Sequence, residues 1–187
     1  MDASSGHRAF CWRGRVVFPD RTGQVLFWSL FGFGLVLDLW TKKAVFDWLA
    51  DRESLTVIVG FMRIVRALNN GAAFGMFAGR SYILAAVSII AMLVVTGIFL
   101  FGGARQRLVQ VALGLFAAGI CGNLYDRMLN GGIVRDFLEV HVQIGQRAYY
   151  WPAFNLADSL LCLAVGLLVL SSIIAGKSAQ RRAQQQR

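Results

Sequence analysis

The chain has 187 residues, enough for one domain, and its composition excludes an ordinary soluble one: 57% of residues are hydrophobic and 16% are charged, with a mean hydropathy of +0.57, whereas soluble domains carry about 25% charged residues. Fourteen Phe and five Trp exclude a solvated coil, and two Pro without internal repeats exclude fibrous and low-complexity classes. The net charge of +9 lies in segments that flank apolar runs, so it reads as a signal of membrane orientation and not as a nucleic-acid surface.

In chain order, a basic arm at 1–23 carries Arg8, Arg13, Arg15 and Arg21. Residues 22–41 then hold one charge, Asp38; 81–104 hold none; 108–125 hold none; and 148–176 hold one, Asp158. A spanning helix needs about 20 mostly apolar residues, so spans are expected near 24–44, 82–102, 107–125 and 154–175. They form one transmembrane domain over 24–175, followed by a basic tail at 176–187. The first run starts too late, is too long and carries an Asp too near its end to be a cleavable signal peptide. Between the first two spans, 55–67 is β-branched and interrupted by Gly60, a pattern for two short strands and a hairpin. The small and aromatic stretch 71–79 suits the membrane interface. Trp40, Trp48, Tyr149, Tyr150 and Trp151 fall where an aromatic belt is expected. Cys11, Cys121 and Cys162 make no CxxC and no disulfide framework.

Four spans put both termini on one side. The arm, the turn with Arg105 and Arg107, and the tail with Lys177, Arg181, Arg182 and Arg187 hold most of the basic residues. The positive-inside rule therefore predicts cytoplasmic termini and two outer loops, about 45–81 and 126–153. On that topology the unusual polar residues converge on the outer face: Asp38, Thr41 and Lys42 end span one; Asn123, Asp126 and Arg127 end span three; Asn155 and Asp158 begin span four; and Asn69, Asn70 and Asp136 lie in the loops. Gly114, Ala118, Gly122 and Asp126 recur every four residues, a stripe that lets helices approach closely.

An ionisable residue inside a membrane is a functional candidate by default. Asp38 and Lys42, at i and i+4, are expected to pair, and Asp126 to fix a loop or Arg127. His141 is the one histidine of the outer side, and there is no HExxH or GxSxG, so neither a zinc site nor an activated serine is indicated. What remains is a carboxylate pair, Asp158 with either Asp126 or Asp136, one member holding a proton while the other acts on water. Spacing alone leaves that choice open. The competing classes are a small four-span transporter, which would place polar groups near the midplane, and a structural membrane subunit.

Five blocks then resemble those of the lipoprotein signal peptidase (signal peptidase II) family: Asp38-Leu39-Trp40-Thr41-Lys42, Asn69-Asn70-Gly71-Ala72-Ala73-Phe74-Gly75, Gly122-Asn123-Leu124-Tyr125-Asp126-Arg127, Val134-Arg135-Asp136-Phe137 and Phe154-Asn155-Leu156-Ala157-Asp158. Their order and spacing agree over about 25–175. The resemblance implies a bacterial inner-membrane aspartic endopeptidase that cuts diacylglyceryl-modified prolipoproteins before the lipidated cysteine, with Asp136 and Asp158 as the catalytic pair. Asn69, Gly71, Asn123, Asp126, Arg127, Asn155, Asp38 and Lys42 would then be binding or supporting residues. No metal, cofactor or nucleic-acid partner is implied, and a monomer in contact with membrane lipid is expected. The implied fold class is membrane all-α: four transmembrane helices with a small extracytoplasmic β-rich cradle and an interfacial segment. The chain departs from the family pattern at Leu39, at Ala118, in a stretch before Asp136 that is one residue longer, and at Arg135, where valine is typical.

Overall fold

The computed structural model describes residues 18–50, 52, 54–71, 76, 77, 79–102 and 104–185. Most of the basic arm, with Cys11, and the greater part of the expected interfacial segment at 71–79 lie outside the described residues. Four helices are each long and apolar enough to cross a membrane: α1 (Arg21–Trp48), α2 (Ser81–Phe101), α3 (Arg107–Leu129) and α4 (Leu156–Gln185). Asp20 caps α1 by accepting from the Gly23 N–H at 3.1 Å. Helix α4 continues past the expected end of its span through Gln185, a stretch rich in the good helix formers Ala, Gln, Lys and Arg.

A four-stranded antiparallel sheet joins the helices at one end, in the order β1 (Ser54–Ile58), β2 (Met62–Asn69), β3 (Val134–Ile144) and β4 (Arg147–Tyr150). The first two strands form the expected hairpin, turning at Gly60 with φ of 75°. The second pair is not among the sequence expectations. Leu138, Val140, Val142 and Ile144 do alternate with polar residues, and Gly145 turns at φ of 61°, so the signal for that hairpin was present.

Helix α3 is the centre of the bundle. Of its apolar window 61% is buried, against 11–22% for the other three helices, which leaves those to face lipid. Lipid is as apolar as a leucine side chain, so close contact must hold the helices together. The small-residue stripe provides it. A Cβ added at Gly114 would lie 2.9 Å from the Phe27 carbonyl oxygen, and one at Gly119, beside the stripe, would lie 2.6 Å from that of Ala157. Away from the sheet, Phe27 of α1 stacks on Phe99 of α2 with ring centroids 3.9 Å apart, sealed by Val95, Leu113, Ala117 and Ile120.

The tightest approach is at Gly122, where a Cβ would lie 2.3 Å from Asp38 Oδ2. Gly122→Ala should therefore lower the unfolding temperature in detergent, by an overpacking cost of about 1–3 kcal/mol. Gly97→Ala, where nothing lies within 4 Å, should hold or raise it. Equal behaviour of the two variants in a thermal-shift assay would contradict this packing.

Candidate active site

The site is built outward from a buried cation. Lys42 Nζ lies 2.8 Å from Asp38 Oδ2 and 3.5 Å from Asp126 Oδ2, and all three side chains are fully buried. Charges withdrawn from water require such partners. Lys42 also donates to Asn123 Oδ1 at 3.1 Å. Asp38 Oδ1 accepts the Ala157 N–H at 2.8 Å, which ties α1 to the first turn of α4. The expected i,i+4 pair therefore forms, and it joins three helices.

Two asparagines carry the arrangement to the candidate carboxylates. Asn123 Nδ2 donates to Asp158 Oδ1 at 2.8 Å. Asn155 Nδ2 donates to Asn123 Oδ1 at 3.0 Å and to Asp136 Oδ1 at 2.6 Å. Asn155 and Asp158 also form a reciprocal capping box at the start of α4: the Asn155 N–H reaches Asp158 Oδ2 at 3.1 Å, and the Asp158 N–H reaches Asn155 Oδ1 at 3.0 Å. Asn155 thus touches both aspartates. Asn69, the last residue of β2, donates to Asp136 Oδ2 at 2.9 Å and accepts the Gly71 N–H at 2.9 Å. Arg127 donates to the carbonyls of Gly71 and Asn123, each at 3.4 Å.

Every candidate residue is brought into this one network. Of the two partners expected for Asp126, a loop or Arg127, it holds the loop. It accepts from Arg135: the N–H at 3.0 Å, Nη2 at 2.6 Å and Nε at 3.2 Å. Arg135 was visible in the sequence as a charge beside Asp136. Nothing in a nine-residue separation pairs it with Asp126, because only the turn after α3 brings β3 back onto the helix end. Asp126 shares no hydrogen-bond partner with Asp158, whereas Asp136 shares Asn155 with it.

Asp136 and Asp158 border a cavity of about 1180 Å³ that runs between α2, α3 and α4. Its polar end carries Asn69, Asn123 and Arg127, while Val87, Ala91, Ile120 and Leu161 line its apolar length. Burial pushes the Asp136 carboxyl up to about 6, and the negative charge of Asp158 adds to that. The bonds from Asn69 and Asn155 and the Lys42 charge oppose it. The arrangement can therefore hold one proton between two carboxylates at the mouth of an apolar groove. Among the described residues, no group of three or more His, Cys, Asp or Glu side chains is placed to hold a metal ion.

The family model described as signal peptidase (SPase) II matches residues 30–174. The chain belongs to the signal peptidase II family. It is therefore a membrane protein of a peptidase family. A Geobacter sulfurreducens protein named lipoprotein signal peptidase is 39% identical over 142 residues, 74% of this chain and 86% of that one. One of the same name from Rhodopirellula baltica is 36% identical over 160 residues, 79% and 71% of the two chains. A bacterial membrane enzyme solved by the in meso method at 2.3 Å resolution superposes with a TM-score of 0.68 at 28% identity, covering 84% of this chain and 90% of that one.

Two outcomes follow from the electrostatics. Lys42→Ala leaves two buried carboxylates facing each other and should cost about 3–5 kcal/mol in denaturant unfolding. Its folded fraction should keep slowed turnover; a normally stable but inert variant would make Lys42 part of the chemistry. For Asp136, the folded state holds a proton more tightly than the unfolded chain. Stability is therefore gained as pH falls from about 6 toward 3.8 and is missing at neutral pH. Asp136→Asn removes that burden, so its unfolding temperature at pH 7.5 should equal or exceed the parent's. A clear drop would contradict the assignment.

Proposed function

We propose that the protein is a membrane-embedded aspartic endopeptidase that removes signal peptides from diacylglyceryl-modified prolipoproteins, cutting before the lipidated cysteine. The observation that carries this is Asn155, which holds Asp158 from its backbone and Asp136 from its side chain beside a largely apolar groove between α2, α3 and α4. A lipid-anchored peptide can enter such a groove while its scissile bond reaches polar groups. The relatives named lipoprotein signal peptidase support the same substrate class.

In this scheme Asp136, the carboxyl raised by burial, holds the proton, and the half-buried Asp158 is the base. Asp158 takes a proton from water as the water oxygen attacks the scissile carbonyl carbon, and Asp136 gives its proton to the carbonyl oxygen. When the tetrahedral intermediate collapses, the proton on Asp158 passes to the cysteine nitrogen and Asp136 recovers its own. Asn123, Asn69 and Asn155 orient the two carboxylates. Arg127 and Gly71 shape the rim that takes the peptide, and Asp38, Lys42 and Asp126 hold the helices in place. One chain contains every group required, consistent with a monomer, and the scheme uses no metal or cofactor. The sheet lies on the outer side of the bacterial inner membrane and both termini are cytoplasmic. Residues 24–175 form the peptidase domain, flanked by the basic arm at 1–23 and the basic tail at 176–187. A transporter is disfavoured, because beyond the polar network the bundle closes over Phe27, Phe99 and their neighbours.

Asp136→Asn and Asp158→Asn should each remain folded and lose about 10²–10⁴-fold in cleavage of a diacylglyceryl-prolipoprotein, with the double variant scarcely worse than either. Asp126→Asn should keep measurable turnover. Substantial cleavage by Asp136→Asn beside an inert, folded Asp126→Asn would move the pair to Asp126 and Asp158. Reporters fused after Gly103 and Gly176 should read cytoplasmic, and an external signal at Gly103 would overturn the topology.

A further inference from the structure

We propose that Arg135 is a positioning residue for Asp136, acting through the buried carboxylate of Asp126; the inference rests on the assignment of Asp136 to the reaction. The problem it solves is mechanical. The chain leaves α3 through Asn130, Gly131, Gly132 and Ile133, and both glycines are left-handed, at φ of 61° and 85°. Two hydrogen bonds between Asn130 and Ile133, at 3.1 and 3.0 Å, close the turn around these flexible glycines, but they end one residue before the strand. The ladder with β2 pairs Val134, Arg135 and Asp136 with Asn69, Leu68 and Ala67, but it does not continue in register beyond Asp136. Its register shifts between Ile64 and Ala67, immediately before the Ala67–Asp136 pair. Asp136 therefore sits between a glycine turn and an irregular stretch of sheet.

The residue before it is clamped. The Arg135 backbone N–H donates to Asp126 Oδ2 at 3.0 Å, and its guanidinium reaches Oδ1 through Nη2 at 2.6 Å and Nε at 3.2 Å. Three donors on one carboxylate fix both the position and the rotation of the strand at residue 135. Charge-assisted forks of this kind are among the stronger hydrogen bonds in proteins. Their anchor is firm, because Asp126 is fully buried in the central helix and faces Lys42. The four charges then alternate: Asp38, Lys42, Asp126, Arg135. Without the guanidinium, Asp126 keeps the Arg135 N–H but has Lys42 as its one remaining cationic partner, and Lys42 also serves Asp38 and Asn123. A lysine drawn toward Asp126 loosens Asn123, and with it the hold on Asp158. Arg135 thus reaches both carboxylates without touching the cavity between them.

The test compares parent, Arg135→Gln, Arg135→Lys and Asp126→Asn on a diacylglyceryl-prolipoprotein, with hydrogen exchange of the 130–138 peptide measured in parallel. Displacing a reacting group by about 1 Å costs on the order of 10²-fold, so kcat of Arg135→Gln should fall by about 10- to 100-fold while KM stays within about threefold. Arg135→Lys, which keeps the charge but not the fork, should recover part of that loss. In the Asp126→Asn background Arg135→Gln should add less than about threefold, because the two act as one unit. Exchange in 130–138 should quicken in Arg135→Gln. A kcat within twofold of the parent, a change confined to KM, or full additivity with Asp126→Asn would each overturn the proposal. If Arg135→Gln does not fold, a kcat loss at constant KM in Arg135→Lys supports it and an unchanged kcat overturns it. If the parent does not cleave the substrate, the reading of the reaction fails, and the exchange rates still decide whether Arg135 holds the strand.

Discussion

A fully buried lysine ammonium governs this structure. Lys42 can be charged inside the bundle only because Asp38 and Asp126 stand against it, and those two carboxylates come from different helices. Satisfying the cation therefore brings α1 and α3 together, and Asp38, through the Ala157 N–H, brings α4. The helices can come that close only where no side chain intervenes, which is why a glycine stands at 122. The small-residue stripe and the ion pair express one constraint, since each is costly without the other.

The candidate site inherits its properties from that frame. Asn123 accepts from Lys42 and donates to Asp158, so the orientation of a candidate catalytic carboxylate is set by a charge that takes no part in the proposed chemistry. Asp136 arrives from the sheet and is buried by the same convergence. Burial lifts its proton affinity toward the range useful near neutral pH. The same burial lowers stability at neutral pH, because the ionised form has been taken from water. Stability and the proposed chemistry are opposed at this residue, as is common where a carboxyl is tuned for acid–base work.

The groove beside the aspartates runs between α2, α3 and α4, helices long and apolar enough to cross a membrane. Its length is apolar and its mouth polar, which suits a peptide whose anchor remains in the bilayer. The sheet borders that mouth through Asn69 and Asp136, at the end of β2 and near the start of β3.

Much of this was legible in the sequence. The four spans follow from the spacing of charges, because a bilayer tolerates so few of them. The Asp38–Lys42 pair follows from helical spacing, the first hairpin from Gly60, and the convergence of polar residues on one face from counting spans. The five blocks carried the family. The second hairpin was also written in the alternation from Leu138 to Ile144, though aromatic and charged residues around it masked the pattern. What the sequence could not supply was pairing across distance. That Asp126 holds Arg135 and not its neighbour Arg127, that Asn155 spans both aspartates, and that Asp136 and not Asp126 shares a partner with Asp158 depend on how a glycine turn returns the chain to the end of α3. Local spacing determines which residues lie on one face of one helix. Only the tertiary structure decides which carboxylates share a neighbour, because that depends on where separate elements meet.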